Sequence, residues 1–309
     1  MDQANTLRRM VSQHRHGKPS QGVPRRQMRV ISVTSGKGGV GKTNTAVNLA
    51  LALSRLQRRV LLLDGDMGLG NIDVLLGLTP RYTLEHVVNG EKDVMDIVLE
   101  GPLGVKILPS SSGISELSEM NKRQQMHLFA ELSRIDEDND YLIIDTGAGI
   151  SSNVLRFNAA ASEVLLVVSP EPTAITDAYA LMKLLAIKYD VRDFGLIANS
   201  VQSERDGHAV FERLNRVSEQ FLQASLSYLG SIPFDKCVRN AVRQQTALLE
   251  LYPRAPASRS LMRIAAVIDQ RPAASALPPS AETLSNPAFP PQPPASFWDR
   301  LLHWDHRTK

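Results

Sequence analysis

Gly36 and Gly41, followed directly by Lys42 and Thr43, satisfy the spacing G-x-x-x-x-G-K-[ST]. The chemistry of that spacing is phosphate capture. Glycines let backbone N–H groups turn inward around phosphate oxygens, and the positive end of a following helix faces them. Lys42 would neutralise the β- and γ-phosphates of a nucleoside triphosphate, and the Thr43 hydroxyl would ligate Mg²⁺. Gly38, Gly39, Val40 and Asn44 complete the candidate nucleotide-binding set. Two carboxylate groups suit the same task. The apolar run Val60–Leu63 ends in Asp64, Gly65 and Asp66, and Tyr141–Ile144 ends in Asp145. An acidic residue closing an apolar strand beside such a loop is placed to hold Mg²⁺ or its water shell, so Asp145 reads as the Walker B aspartate.

These groups need a scaffold of strands and helices. Short β-branched runs supply strand candidates at Arg29–Thr34, Val60–Asp64, Val105–Leu108, Tyr141–Asp145, Glu163–Ser169, Gly195–Asn199 and Tyr228–Ile232. Helical patterns fill the gaps, among them Thr43–Leu56, Thr173–Tyr189 and Ala209–Leu226. The strand runs are almost continuously apolar, as expected where both faces of a parallel sheet are covered. The alternation predicts an α/β class: a doubly wound, mostly parallel sheet with ligands at the carboxyl ends of its strands.

Composition bounds the rest. Hydrophobic residues are 43% and charged residues 22% of 309, an ordinary globular balance that excludes collagen-like and integral-membrane classes. A single cysteine, Cys237, excludes a disulfide framework and a zinc ribbon. The start lacks a long apolar signal segment, so a cytoplasmic location is expected. Residues 1–28 carry six basic groups against Asp2 alone, which leaves residues 29–270 at net −3 although the whole chain is +3. Residues 271–295 hold 8 of the 18 prolines, a composition that cannot bury a core and predicts a disordered tether. The expected organisation is therefore a basic arm (1–28), one α/β domain (29–270), the tether (271–295) and a closing aromatic helix (296–309).

With Lys37 early in the loop, the motif takes the deviant form K-G-G-x-G-K-[ST] and resembles the MinD/ParA family of P-loop ATPases. The resemblance covers roughly Met28–Gln270. It implies ATP with Mg²⁺, a nucleotide-sandwiched homodimer, and a trans role for Lys37 at the partner's phosphates. It also implies that Asp66 is the switch aspartate that orients the attacking water and helps hold the metal, with Asp64 supporting it. Asn199 matches a family asparagine that contacts adenine, and Pro233 and Asp235 match a segment that packs on the base with backbone contacts.

Finer wording is similar to the branch of flagellar-number regulators called FlhG (FleN, YlxH). It includes Gly68-Leu69-Gly70-Asn71-Ile72-Asp73 and Asp145-Thr146-Gly147-Ala148-Gly149, together with Ser169-Pro170-Glu171-Pro172-Thr173. Cell-division MinD proteins typically begin their first strand near the initiator Met and read D-S-P-A-G at the second switch, unlike this chain. A ParA-type DNA-partitioning ATPase would need a basic folded body, and this body is acidic. In the arm, Asp2, Gln3, Ala4, Leu7 and Arg8 resemble the element with which the branch activates the GTPase FlhF. Gln3 is chemically suited to orient water in a partner's GTP site. The resemblance further suggests flagellar switch (C-ring) or transcription proteins as partners.

At helical spacing, Phe297, Trp298, Leu301, Leu302 and Trp304 form one broad apolar face. Behind a proline-rich tether, that face is expected to lie in an anionic membrane surface, placing the chain on the inner face of the cell membrane in its ATP state.

Overall fold

The computed structural model describes residues 28–66, 71–109, 121–136, 138–272 and 296–302. Its centre is an eight-stranded sheet in the order β3-β4-β2-β5-β1-β6-β7-β8. The strands are β1 (Arg29–Ser35), β2 (Val60–Gly65), β3 (Leu99–Glu100), β4 (Lys106–Leu108), β5 (Tyr141–Ala148), β6 (Glu163–Val168), β7 (Asp193–Val201) and β8 (Ser225–Pro233). All pairings are parallel except β3 with β4. The seven strand candidates all form, within a few residues of their expected ends. β3 was not anticipated, because two residues leave no periodicity to read.

Each crossover supplies a helix. The ones that matter below are α1 (Lys42–Arg55), α2 (Asn71–Leu76), α3 (Leu84–Val88), α4 (Val94–Ile97) and α5 (Lys122–Asp136). They continue with α6 (Ser152–Ala160), α7 (Pro172–Tyr189), α8 (Glu204–Phe221), α9 (Lys236–Arg243), α10 (Leu248–Leu251), α11 (Pro256–Gln270) and α12 (Phe297–Leu302). One boundary differs from expectation. Instead of running Ala209–Leu226, α8 starts five residues earlier, at a capping box between Ser203 and Asp206, and stops before β8 begins at Ser225.

The period of two along the central strands divides their side chains between two cores. Ile31, Val33, Leu62 and Ile143 face α1, whereas Val30, Leu61, Leu63, Leu142 and Ile144 face α3, α4 and α5. Both faces are covered, which accounts for the unbroken apolar runs.

α12 belongs to the second core, and this corrects the expectation that its apolar face stands clear of the body. Phe297, Trp298 and Leu301 are buried against α5 and α6, with Trp298 at 0% exposure. The physical reason is that the sheet's second face still has apolar surface to cover there. Burying a large apolar side chain gains roughly 1.5–3 kcal/mol. Trp304 lies outside the described residues, as do Asp2, Gln3, Ala4, Leu7 and Arg8.

A polar network closes the amino-end rim of the sheet. Arg29 donates to Glu163 at 2.6 Å, to the Tyr141 hydroxyl at 3.1 Å and to the Arg271 carbonyl at 3.1 Å. The Tyr141 hydroxyl donates to Asp269, which Arg58 grips with two nitrogens. The chain thus enters β1 and leaves α11 at one corner.

Candidate functional site

β1 lies between β5 and β6, and the loop from Gly36 to Gly41 stands on its carboxyl end, at the start of α1. Gly39 and Gly41 adopt φ of 78° and 89°, a region that penalises any residue with a Cβ. Gly36 has a different constraint: a Cβ there would run into the backbone of Asp177 and Ala178 in α7. Asn199, on β7, donates its Nδ2 to the Val40 carbonyl at 2.7 Å, so in this structure its amide braces the loop.

Beneath the loop, Lys42 Nζ lies 2.5 Å from Asp145 Oδ1, and both side chains are buried. The neighbouring Thr43 hydroxyl, like Lys42, favours the charged form of Asp145. Burial pushes the Asp145 carboxyl up, against the opposing pull of Lys42. The second carboxylate oxygen, Oδ2, is buried without a hydrogen-bond partner. That spare oxygen, the Thr43 hydroxyl beside it and the nearby charges of Asp64 and Asp66 make a site with more acceptor capacity and negative charge than one ammonium satisfies. Such a site fits Mg²⁺, which takes few protein ligands and keeps waters and substrate phosphates for the rest.

Asp64 staples the two ends of the segment that follows β2. Its Oδ1 accepts from Asp66 N at 3.1 Å, and its Oδ2 accepts from Asn71 N at 2.9 Å and Ile72 N at 3.1 Å. Asp66 in turn accepts from Asn71 Nδ2 at 3.1 Å. A Cβ built on Gly147 would stand 3.5 Å from Asp66 Oδ1, so the two switch segments meet there.

Burial pushes Asp64 up to about 6 from 3.8; the Asp145 charge adds to the shift and the three backbone donors oppose it. The folded state therefore holds an extra proton between those values, and the contribution of Asp64 to stability falls as pH rises from about 4 to about 6. The expected loss is on the order of 3 kcal/mol. Urea midpoints measured from pH 4 to pH 7 check this: the slope should be present in the wild type and flattened in Asp64→Asn.

Lys37 points away from its own loop. Its Nζ donates to Glu171 Oε2 at 2.8 Å and Thr173 Oγ1 at 2.9 Å, at the start of α7. Neither partner was assigned a contact from the sequence. Both lie 134 residues or more from Lys37 in the chain, and the only signal was their position just after a strand end.

Asp235 spends its side chain within the fold. Its side chain caps α9 by accepting from Cys237 N at 2.9 Å, and it accepts from Ala257 N at 3.2 Å. Burial pushes its carboxyl up, but these bonds outweigh burial and hold it below the usual range. Any base contact from the Pro233–Asp235 segment would therefore come from backbone. Phe234 is exposed there, with Arg239 stacked 5.4 Å from its ring.

Comparison with known proteins places this geometry among relatives. Residues 26–269 match the ParA family model, described as NUBPL iron-transfer P-loop NTPase. The chain is 48% identical over 245 residues to antiactivator FleN of Pseudomonas aeruginosa, covering 79% of this chain and 88% of FleN. It is 33% identical over 275 residues to the flagellum site-determining protein YlxH of Helicobacter pylori, covering 89% and 90%. Among solved structures, the septum site-determining protein MinD of Pyrococcus horikoshii with Mg-ADP superposes with a TM-score of 0.64. That match has 25% identity and covers 79% of this chain and 96% of the other.

Proposed function

The chain belongs to the ParA family of P-loop NTPases, in its FlhG branch, and on that premise we propose that it is a dimerising switch regulating flagellar number and placement. As a family member it is an ATPase that uses ATP with Mg²⁺. When bound, Mg²⁺ neutralises charge on the transferred phosphate.

The chain's own residues divide the remaining work. Backbone N–H groups of residues 36–41 cradle the phosphates, and Lys42 supplies their fixed positive charge. Thr43, Asp145 and Asp66 would hold the metal. Asp66 orients the attacking water, and Asp64 keeps Asp66 in place through the backbone.

One observation carries the switch reading. The ammonium of Lys37 is turned out to the rim, on Glu171 and Thr173, rather than toward its own loop. From that position it serves a second subunit's phosphates, as a finger supplied in trans does. The 33% identity to a flagellum site-determining protein, across 89% of this chain, supports the flagellar output over a division-site or DNA-partitioning role. In this reading α12 reaches an anionic membrane only after leaving its groove, which ties membrane residence on the inner face to the ATP dimer. C-ring and flagellar transcription proteins are the further partners that the reading names.

The arm supplies the partner contact. A peptide of residues 1–25 is expected to stimulate GTP hydrolysis by an FlhF-type GTPase. Gln3→Ala should remove the stimulation while binding persists, because orienting water matters mainly in the transition state. A wild-type peptide that leaves GTP turnover unchanged would refute the activating role.

A further inference from the structure

One helix touches three of the strands that carry the phosphate site, and one buried arginine leads away from it. α6 follows the Asp145 loop directly and is capped by Ser151, whose Oγ accepts from Val154 N. Val154 Cγ2 lies 3.3 Å from where a Cβ on Gly147 would stand, the glycine that also meets Asp66. The Phe157 ring lies 3.4 Å from the corresponding position on Gly65, at the head of the Asp66 segment. Asn158 accepts from Ser32 Oγ at 2.8 Å and donates to Thr34 Oγ1 at 3.2 Å, on the strand that feeds the phosphate loop. The strands carrying the loop, Asp66 and Asp145 therefore all press on residues 154–158.

Arg156 leaves that same stretch toward α12. It is buried at 9% exposure, and its Nε donates to the Leu301 carbonyl at 2.8 Å. Carbonyls in the last turn of a helix lack intrahelical partners, and a cation beside them is favourable. Burying a guanidinium is costly unless it is bonded. The phosphate site makes no use of it.

We propose that α6 is the lever by which the phosphate loops set the docking of α12, and that Arg156 is the positioning residue that transmits the movement. The inference rests on the ATP-switch reading above. A shift of residues 146–150 on nucleotide capture pushes Val154, turns α6 and draws the guanidinium off Leu301. The carbonyl then loses its donor in a buried setting, and α12 leaves the groove to find solvent or another apolar surface.

The chain provides its own reporter, because its two tryptophans, Trp298 and Trp304, both lie in the C-terminal segment. Tryptophan emission of the full chain thus reads that segment alone. Wild-type emission is expected to shift to the red on adding ATP and Mg²⁺. Arg156→Met should be red-shifted without nucleotide and unmoved by ATP, with ATP turnover close to wild type. Arg156→Lys, which keeps a donor, should restore the blue emission and its response.

An Arg156→Met chain with wild-type emission and response overturns the proposal. A wild-type chain that hydrolyses ATP with unmoved emission overturns the lever and leaves the ATPase standing, whereas a chain without turnover sinks the switch reading and the lever with it. If Arg156→Met fails to fold, hydrogen exchange of the 297–302 amides in the wild type decides. Lost protection in ATP supports the lever, and unchanged protection refutes it.

Discussion

Asp66→Ala is expected to bind ATP but lose turnover by about 10²–10⁴-fold, the usual contribution of a group that positions or relays at a reacting water. Its dimer should then persist, since in the proposed switch hydrolysis releases it. Lys37→Ala should fail differently. It removes a charge offered to the second subunit, so ATP no longer drives association, and the stimulated rate falls by roughly 10³ or more, as loss of a trans cation does. Neither variant should unfold: Lys37 is on the rim and Asp66 is half-buried. Size-exclusion chromatography with ATP and Mg²⁺ separates the cases. Asp66→Ala should elute as a dimer and Lys37→Ala as a monomer. If both elute alike, or both hydrolyse ATP normally, the assigned roles are wrong.

Deleting residues 296–309 is expected to abolish sedimentation with anionic liposomes. The wild type should sediment in ATP and stay in solution in ADP. The size of the effect follows from valence. One short amphipathic helix holds a membrane weakly, while a dimer presents two, and the linked second contact raises avidity by roughly 10² or more. In the structure the helix is not available as it stands, since Trp298 is fully buried. Nucleotide dependence must therefore include undocking as well as dimerisation. Equal sedimentation in ADP and ATP, or sedimentation of the truncated chain, would defeat the gated anchor.

The phosphate site was legible because its chemistry is local. Gly36 to Thr43 are contiguous, and Asp64 and Asp145 each close a run whose apolar character reads as a buried strand. Long-range partners were not legible. Nothing near Lys37 in sequence points to Glu171 or Thr173, and nothing near Arg156 points to Leu301. The α12 pattern put Phe297, Trp298 and Leu301 on one face but did not say what that face would meet, because periodicity records amphipathicity and not destination. The use of the Asp235 side chain was not legible for a related reason. An aspartate just before a helix serves equally as a cap or a ligand contact, and its bonds to Cys237 and Ala257 settle on the cap. The α8 boundary could have been found, since Ser203 and Asp206 stand at capping-box spacing.

The corner where Arg29 meets the Arg271 carbonyl bears on stoichiometry. β1 is seven residues long and so spans roughly 20 Å, with the phosphate loop at its far end. The arm and the tether both join the body at the near end, the pole opposite the nucleotide. Two subunits that meet through their nucleotide poles therefore turn these attachment points outward, with the depth of two sheets, about 40 Å, between them. Each subunit of the proposed dimer thus offers its arm from its own far end. The proposed ATP dimer should therefore carry one partner molecule per subunit, a two-to-two assembly with partners at its far ends.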